Sequence, residues 1–169
     1  SNMRRLAHAA PAALRDWGAQ AAVFSYIAPL QRRCPSIVVV HDVLFRMRPE
    51  WFSLRVRGLL GTLVPLSIRR AAAVVTVSQT SKADLVSAFG IDPDRVQVIS
   101  NVPAPAFSPH PDAAARVRDR FGLDRYCLFV GDIHPRKNLT ALANAIVRLG
   151  DPDLTLAVVG RAGHQGAAI

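Results

Sequence analysis

Residues 126–139 read YCLFVGDIHPRKNL, and their reading decides the fold. Cys127, Leu128, Phe129 and Val130 form an apolar run of strand length, and Gly131 ends it. Residues 132–135 make a turn. Arg136 and Lys137 then stand just before a helix whose apolar positions are Leu139, Leu142, Ala143, Ile146 and Leu149. The stretch therefore reads as a buried strand, a tight turn and a helix start. That order puts two cations and a row of free backbone N–H groups at one point. Helix N-termini favour anions, and an arginine fork pairs its donors with phosphate oxygens. The expected guest is a phosphate or diphosphate. An ordinary strand–loop–helix connection with two solvated cations has the same pattern, and the residues alone leave both readings open.

Strand-like and helix-like stretches alternate along the rest of the chain. Residues 4–17 are Ala-rich and helical, interrupted at Pro11, and residues 21–26 form a short apolar strand. The β-branched run in residues 36–40, flanked by Pro35 and His41, is too short for a helix and reads as a fully buried parallel strand. Residues 49–70 form one long helical stretch opened by Pro49, and residues 73–77 another buried strand. Ser81 with Asp84 resembles a capping box for a helix that runs to Phe89 and stops at Gly90. Residues 95–99 make a fourth strand. Pro103, Pro105, Pro109 and Pro111 then exclude regular structure from a linker. Beyond it come a helix at 113–121, the strand at 126–130, a helix at 138–149 and a strand at 154–159. The fold class is α/β, with parallel sheets and flanking helices. Ligands of such folds bind beyond the carboxyl ends of the strands, which singles out His41-Asp42, Ser78 and residues 131–137.

The chain has 169 residues, half of them apolar, and a formal charge of +9. No apolar stretch approaches the roughly 20 residues of a membrane span. The charge favours anionic partners, but the arginines are scattered and form no basic arm, so nucleic acid is not the expected partner. The two cysteines, Cys34 and Cys127, have neither zinc-ligand nor disulfide-framework spacing. A reduced, cytoplasmic location is expected. Ser1 and Asn2 before Met3 read as a processing scar and stand outside the fold argument.

His41 ends a buried strand where an α/β enzyme keeps a reactive group, and Asp42 either caps the next segment or orients His41. No G-x-S-x-G surrounds Ser78, which leaves a hydrolase elbow unsupported; Ser81 is the expected helix cap. Trp51 and Phe52 read as core anchors rather than as an exposed platform for lipid or acceptor. Arg55, Arg69 and Arg70 share a helical face that Leu66 interrupts, a weak membrane-binding stripe. Gly160, Gly163 and Gly166 lie in a loop where backbone can approach a ligand closely. The loop is neither a P-loop nor a dinucleotide fingerprint.

Taken in order, VVVHDVLF, RPEWF, AAVVTVSQTSKADLVSAFGI, RVQVISN, FGLDRYCLFVGDIHPRKNL and LAVVGRAG resemble a GT-B retaining glycosyltransferase of family 4, over roughly residues 18–166. The PEWF and PRKN segments resemble its mannosyltransferases, or related sugar transferases, of polysaccharide assembly. The resemblance implies two Rossmann-like domains. Residues 3–100 would be the C-terminal part of the first, acceptor-side domain, residues 101–111 the linker, and residues 112–169 the N-terminal part of the second, donor-binding domain. It implies a nucleotide-sugar donor, a saccharide or lipid-linked acceptor, no metal, no cofactor, and contact with the inner face of a membrane. His41 matches the strand-end histidine near the transferred sugar. Arg136 and Lys137 match the basic pair on the donor diphosphate, and Gly131 the glycine ending the first strand of the second domain. Asp132 stands where many relatives carry arginine. The family's first glycine-bearing loop and its paired donor-gripping glutamates have no counterpart here, so the chain is expected to be an inactive piece of a two-domain enzyme. Four strands before the linker and two after it leave sheet edges open, so self-association is expected. A basic polyanion-binding module and one chain of a split glycosyltransferase are the competing readings.

Overall fold

Four short strands, Ala22–Ser25 (β1), Ser36–Val39 (β2), Ala73–Thr76 (β3) and Val96–Val98 (β4), pair in parallel in the order β1-β2-β3-β4. The computed structural model describes residues 8–31 and 34–161, and the chain divides into two compact units, Ser1–Val102 and Pro103–Ile169. Helices Ala10–Asp16 (α1), Leu44–Met47 (α2), Leu54–Arg70 (α3) and Gln79–Phe89 (α4) belong to the first unit. Its core joins Val38, Val40, Val43, Phe45, Val64, Ile68, Val74, Leu85 and Val96. Each such aliphatic side chain, fully buried, contributes about 1.5–3 kcal/mol.

Two buried hydroxyls tie these layers together. Thr76 Oγ1 donates to the Val40 carbonyl at 2.7 Å. Ser67, on α3, donates to the Leu63 carbonyl at 2.7 Å and accepts from the Ala28 N–H at 3.0 Å, which anchors the segment after β1.

Several local readings need correction. The single helix expected over residues 49–70 is broken: α2 precedes Pro49, residues Pro49–Trp51 form a 3₁₀ turn, and α3 starts only at Leu54. Phe52 is extended and Ser53 caps α3 by accepting from the Val56 N–H, so the hydroxyl at residue 53 outcompetes helix continuation. The cap of α4 is Ser78 rather than Ser81: Ser78 Oγ accepts from the Ser81 N–H at 3.0 Å. Gly90 ends that helix in the left-handed region. Pro11 sits in the first turn of α1 and does not interrupt it; residues 4–7 of that expected helix lie outside the described residues. Phe52 packs against the core and Trp51 lies half-buried under Arg48, at 5.9 Å.

The second unit contains Ala113–Phe121 (α5), Tyr126–Val130 (β5), Leu139–Leu149 (α6) and Thr155–Val159 (β6). β5 and β6 pair in parallel from Tyr126↔Thr155 to Val130↔Val159. Arg125, just before β5, grips Asp151 of the loop before β6. The Asp153 N–H, more than Arg125, holds the Asp151 carboxyl below its ordinary value. β5 is not the fully buried strand its apolar run suggests, because it alternates exposed and half-buried positions. Leu128, Val130 and Val159 are 52%, 67% and 57% exposed on one face of a two-stranded sheet.

Ser67→Ala is expected to destabilise the first unit by about 1–3 kcal/mol, because it leaves the buried Ala28 N–H without an acceptor. Both tryptophans, Trp17 and Trp51, lie in that unit. Urea unfolding followed by tryptophan fluorescence would read the loss, and an unchanged midpoint would refute it.

Candidate functional site

The sequence-expected donor residues gather where β5 ends. The Gly131 N–H donates to the Val159 carbonyl at 2.9 Å and the Ile133 N–H to the Arg161 carbonyl at 2.8 Å, so the strand pairing carries on into the turn. Gly131 has φ +148°, a conformation costly for any side chain. At Gly160 an added Cβ would run into the Gly131 carbonyl oxygen. The glycine of that loop therefore serves backbone against backbone, not backbone against ligand as its sequence suggested; Gly163 and Gly166 lie outside the described residues.

Arg136 and Lys137 do not abut the helix as expected. Pro135–Lys137 form a 3₁₀ turn, and Asn138 in the left-handed region separates them from α6. The turn uses up its own donors. The Arg136 N–H donates to His134 Nδ1 at 3.2 Å, the Lys137 N–H to the His134 carbonyl and the Asn138 N–H to the Pro135 carbonyl. An anion here would meet side-chain cations before backbone N–H groups. Both cations are exposed, and Lys137 Cε lies 4.0 Å from the space a Cβ on Gly131 would fill. Lys137 and Gly131 are thus brought together at the strand's carboxyl end. Asp132, in the same turn, is 3.7 Å from Arg161 Nε in an exposed ion pair, the kind that contributes little.

His41 stands in the first unit, two residues past the end of β2. Its exposed ring faces that of Tyr26, with centroids 5.8 Å apart and planes at 45°. The Asp42 carboxylate accepts from the Leu44 N–H at 3.1 Å, so of its two expected roles it takes the capping one. The Asp42 N–H donates to the Tyr26 hydroxyl at 3.3 Å. Tyr26 is a residue that sequence reasoning missed. It has φ +61°, rare for an aromatic residue, and its N–H donates to the Val39 carbonyl at 2.8 Å. That strained tyrosine touches both members of the His41-Asp42 pair, and no local sequence signal announces it. Among the described residues no group of three or more His, Cys, Asp or Glu side chains could hold a metal ion.

Two parallel-stranded units flanked by helices, with polar groups at the strand ends, have the α/β architecture of glycosyltransferases of the GT-B type. The family model described as Glycosyltransferase Family 4 matches residues 3–102, and the chain belongs to that family. A GDP-mannose-dependent alpha-(1-6)-phosphatidylinositol monomannoside mannosyltransferase of Mycolicibacterium smegmatis is 31% identical over 157 residues, covering 85% of this chain and 38% of that protein. Crystal structures of Anabaena HepE in complex with UDP and glucose, and with UDP, match at a TM-score of 0.58 with 26% and 25% identity, covering 80% of this chain and 36% of theirs. The chain thus spans little more than a third of the length of these relatives.

Proposed function

We propose that the chain is part of a retaining glycosyltransferase that moves mannose or a similar sugar from a nucleotide-sugar donor to a polysaccharide or lipid-linked acceptor, without a metal or other cofactor. The observation that carries this reading is the closeness of Lys137 to Gly131 at the carboxyl end of β5, in a chain of family 4. In the proposal Arg136 and Lys137 hold the donor diphosphate, Gly131 lets it approach the backbone, and His41 stands by the transferred sugar. The relatives supply both candidate nucleotides, since one is named for GDP-mannose and the other was crystallised with UDP. A cytoplasmic site of action at the inner face of a membrane belongs to the same reading. Among the described residues no helix is long and apolar enough to cross a membrane.

Lys137→Ala removes a charge-assisted hydrogen bond of about 1.5–3 kcal/mol. Calorimetric titration with UDP and with GDP is expected to show at least a tenfold weaker affinity for whichever nucleotide binds. Less than a twofold change would remove Lys137 from the diphosphate site.

His41→Ala in the whole transferase is expected to lower turnover strongly and the melting temperature hardly at all, because the ring is exposed and packs only on Tyr26 among the described contacts. A collapsed melting temperature with turnover retained by the folded fraction would make His41 a structural residue.

The proposal also includes self-association of this chain through the open apolar edges of its strands, burying more than about 1,000 Å². Light scattering at high concentration is expected to give a mass above that of the monomer, and a monodisperse monomer would defeat the idea.

A further inference from the structure

Leu54, Arg57, Gly58 and Gly61 follow one another at helical spacing on α3 and form one wall of an open groove of about 380 Å³. Phe45, Arg46 and Pro49 form the other wall. Phe45 is buried and stacks towards Phe89 at 6.4 Å, which roots the groove in the core. The rim is different. Leu54 is 79% exposed. Arg46 and Arg57 are exposed as well, and none of the ion pairs among the described residues includes either. Glu50 is the only acidic residue between Asp42 and Asp84. Gly58 and Gly61 weaken the helix relative to alanine. A Cβ on either would meet nothing within 4 Å, so no packing contact requires them. They leave the groove open.

A groove that sets an exposed leucine beside two arginines outside any ion pair suits a ligand that is apolar and anionic at once. Neither a neutral apolar partner nor free phosphate uses both halves of it. We infer that the groove between α2 and α3 docks the chain on a bilayer containing anionic phospholipid, with Arg46 and Arg57 on headgroup phosphates and Leu54 entering the interface. The inference deepens the membrane part of the proposed function and rests on it only for its biological sense.

The test is flotation of the 169-residue chain with vesicles of phosphatidylcholine alone, and of phosphatidylcholine with a minority of phosphatidylglycerol, at low and physiological salt. Binding is expected only with phosphatidylglycerol and is expected to weaken with salt. Arg46→Glu/Arg57→Glu is expected to lower the partition coefficient at least about tenfold, since each cation near an anionic surface is worth about fivefold. Leu54→Ser, charge-neutral and at an exposed position, is expected to lower it severalfold. Arg116→Glu/Arg120→Glu on α5 makes the same change in net charge away from the groove and is expected to leave most of the binding. Circular dichroism and nucleotide titration of each preparation keep folding and donor binding separate from docking. Binding to neither vesicle, equal binding to both, equal loss from the α5 reversal, or full binding by Leu54→Ser would each overturn the inference. Vesicle binding without nucleotide binding would instead count against the transfer reading alone.

Discussion

The hydrogen bond from Thr76 Oγ1 to the Val40 carbonyl, 2.7 Å long and fully buried, fixes the point at which the first unit stops being core and becomes site. Val40 lies one residue past β2, yet its N–H donates to the Val75 carbonyl at 2.8 Å. Both its polar groups are therefore held by β3 or its terminal threonine. A valine at 76 would fill the same space and leave that carbonyl short of a donor in a dry environment, which is costly. With Val40 held, His41 must leave the sheet from a defined place. Tyr26 is fixed to the neighbouring carbonyl of Val39 in the same way. The His41–Tyr26–Asp42 cluster thus takes its geometry from strand pairing together with the bond from the Asp42 N–H to the Tyr26 hydroxyl.

The second unit solves the same problem with less core. Among the described residues Leu139 is its one buried apolar side chain. The turn after β5 is held instead by backbone: Gly131 to Val159, Ile133 to Arg161, and the close passage of Gly160 past the Gly131 carbonyl. At the opposite end of the sheet Arg125 and the Asp153 N–H hold Asp151. A carboxyl held below its ordinary value adds stability that is present at neutral pH and lost as pH falls through its folded-state value. Asp151 is solvated, so the addition is small. Turn geometry here depends on two glycines and one ladder, and it tolerates less change than the valine-rich sheet of the first unit.

What the sequence made legible was whatever depends on short-range pattern. The runs around Val38, Val74 and Phe129 became strands, and Gly90 ended its helix. Parallel pairing followed from strand–helix alternation, and the family resemblance carried the GT-B architecture. Choices between near-equal local options were less legible. Ser78 and Ser81 are both good caps three residues apart, and Ser78, extended at the helix entry, is the one whose hydroxyl accepts from the Ser81 N–H. Ser53 could continue a helix or start one, and Phe52, packed on the core in an extended conformation, decided that it starts one. Least legible was Tyr26. Its positive φ lies in a tight turn closed by the Ile27 N–H on the Ser25 carbonyl, and partners 13 to 16 positions away hold it there through the Val39 carbonyl and the Asp42 N–H. The apolar run of β5 misled about burial because a run shows what a strand can cover, while exposure depends on how many neighbours cover it.

The charge of the chain shows the same difference between pattern and placement. Along the sequence its arginines are scattered, which speaks against a polyanion-binding arm. In space the helical period and the break at Ser53 collect Arg46 and Arg57 around one groove, while Arg136 stands with Lys137 on a turn in the other unit. These two settings suit different anions. The turn offers two cations on a rigid backbone beside a glycine, a geometry that favours a compact, multiply charged group. The groove offers spread cations with aliphatic surface between them, which favours a broad anionic surface with apolar depth. One net charge thus divides into a narrow phosphate-type setting at a strand end and a wide amphipathic one on a helix face, and the division is made by secondary structure rather than by composition.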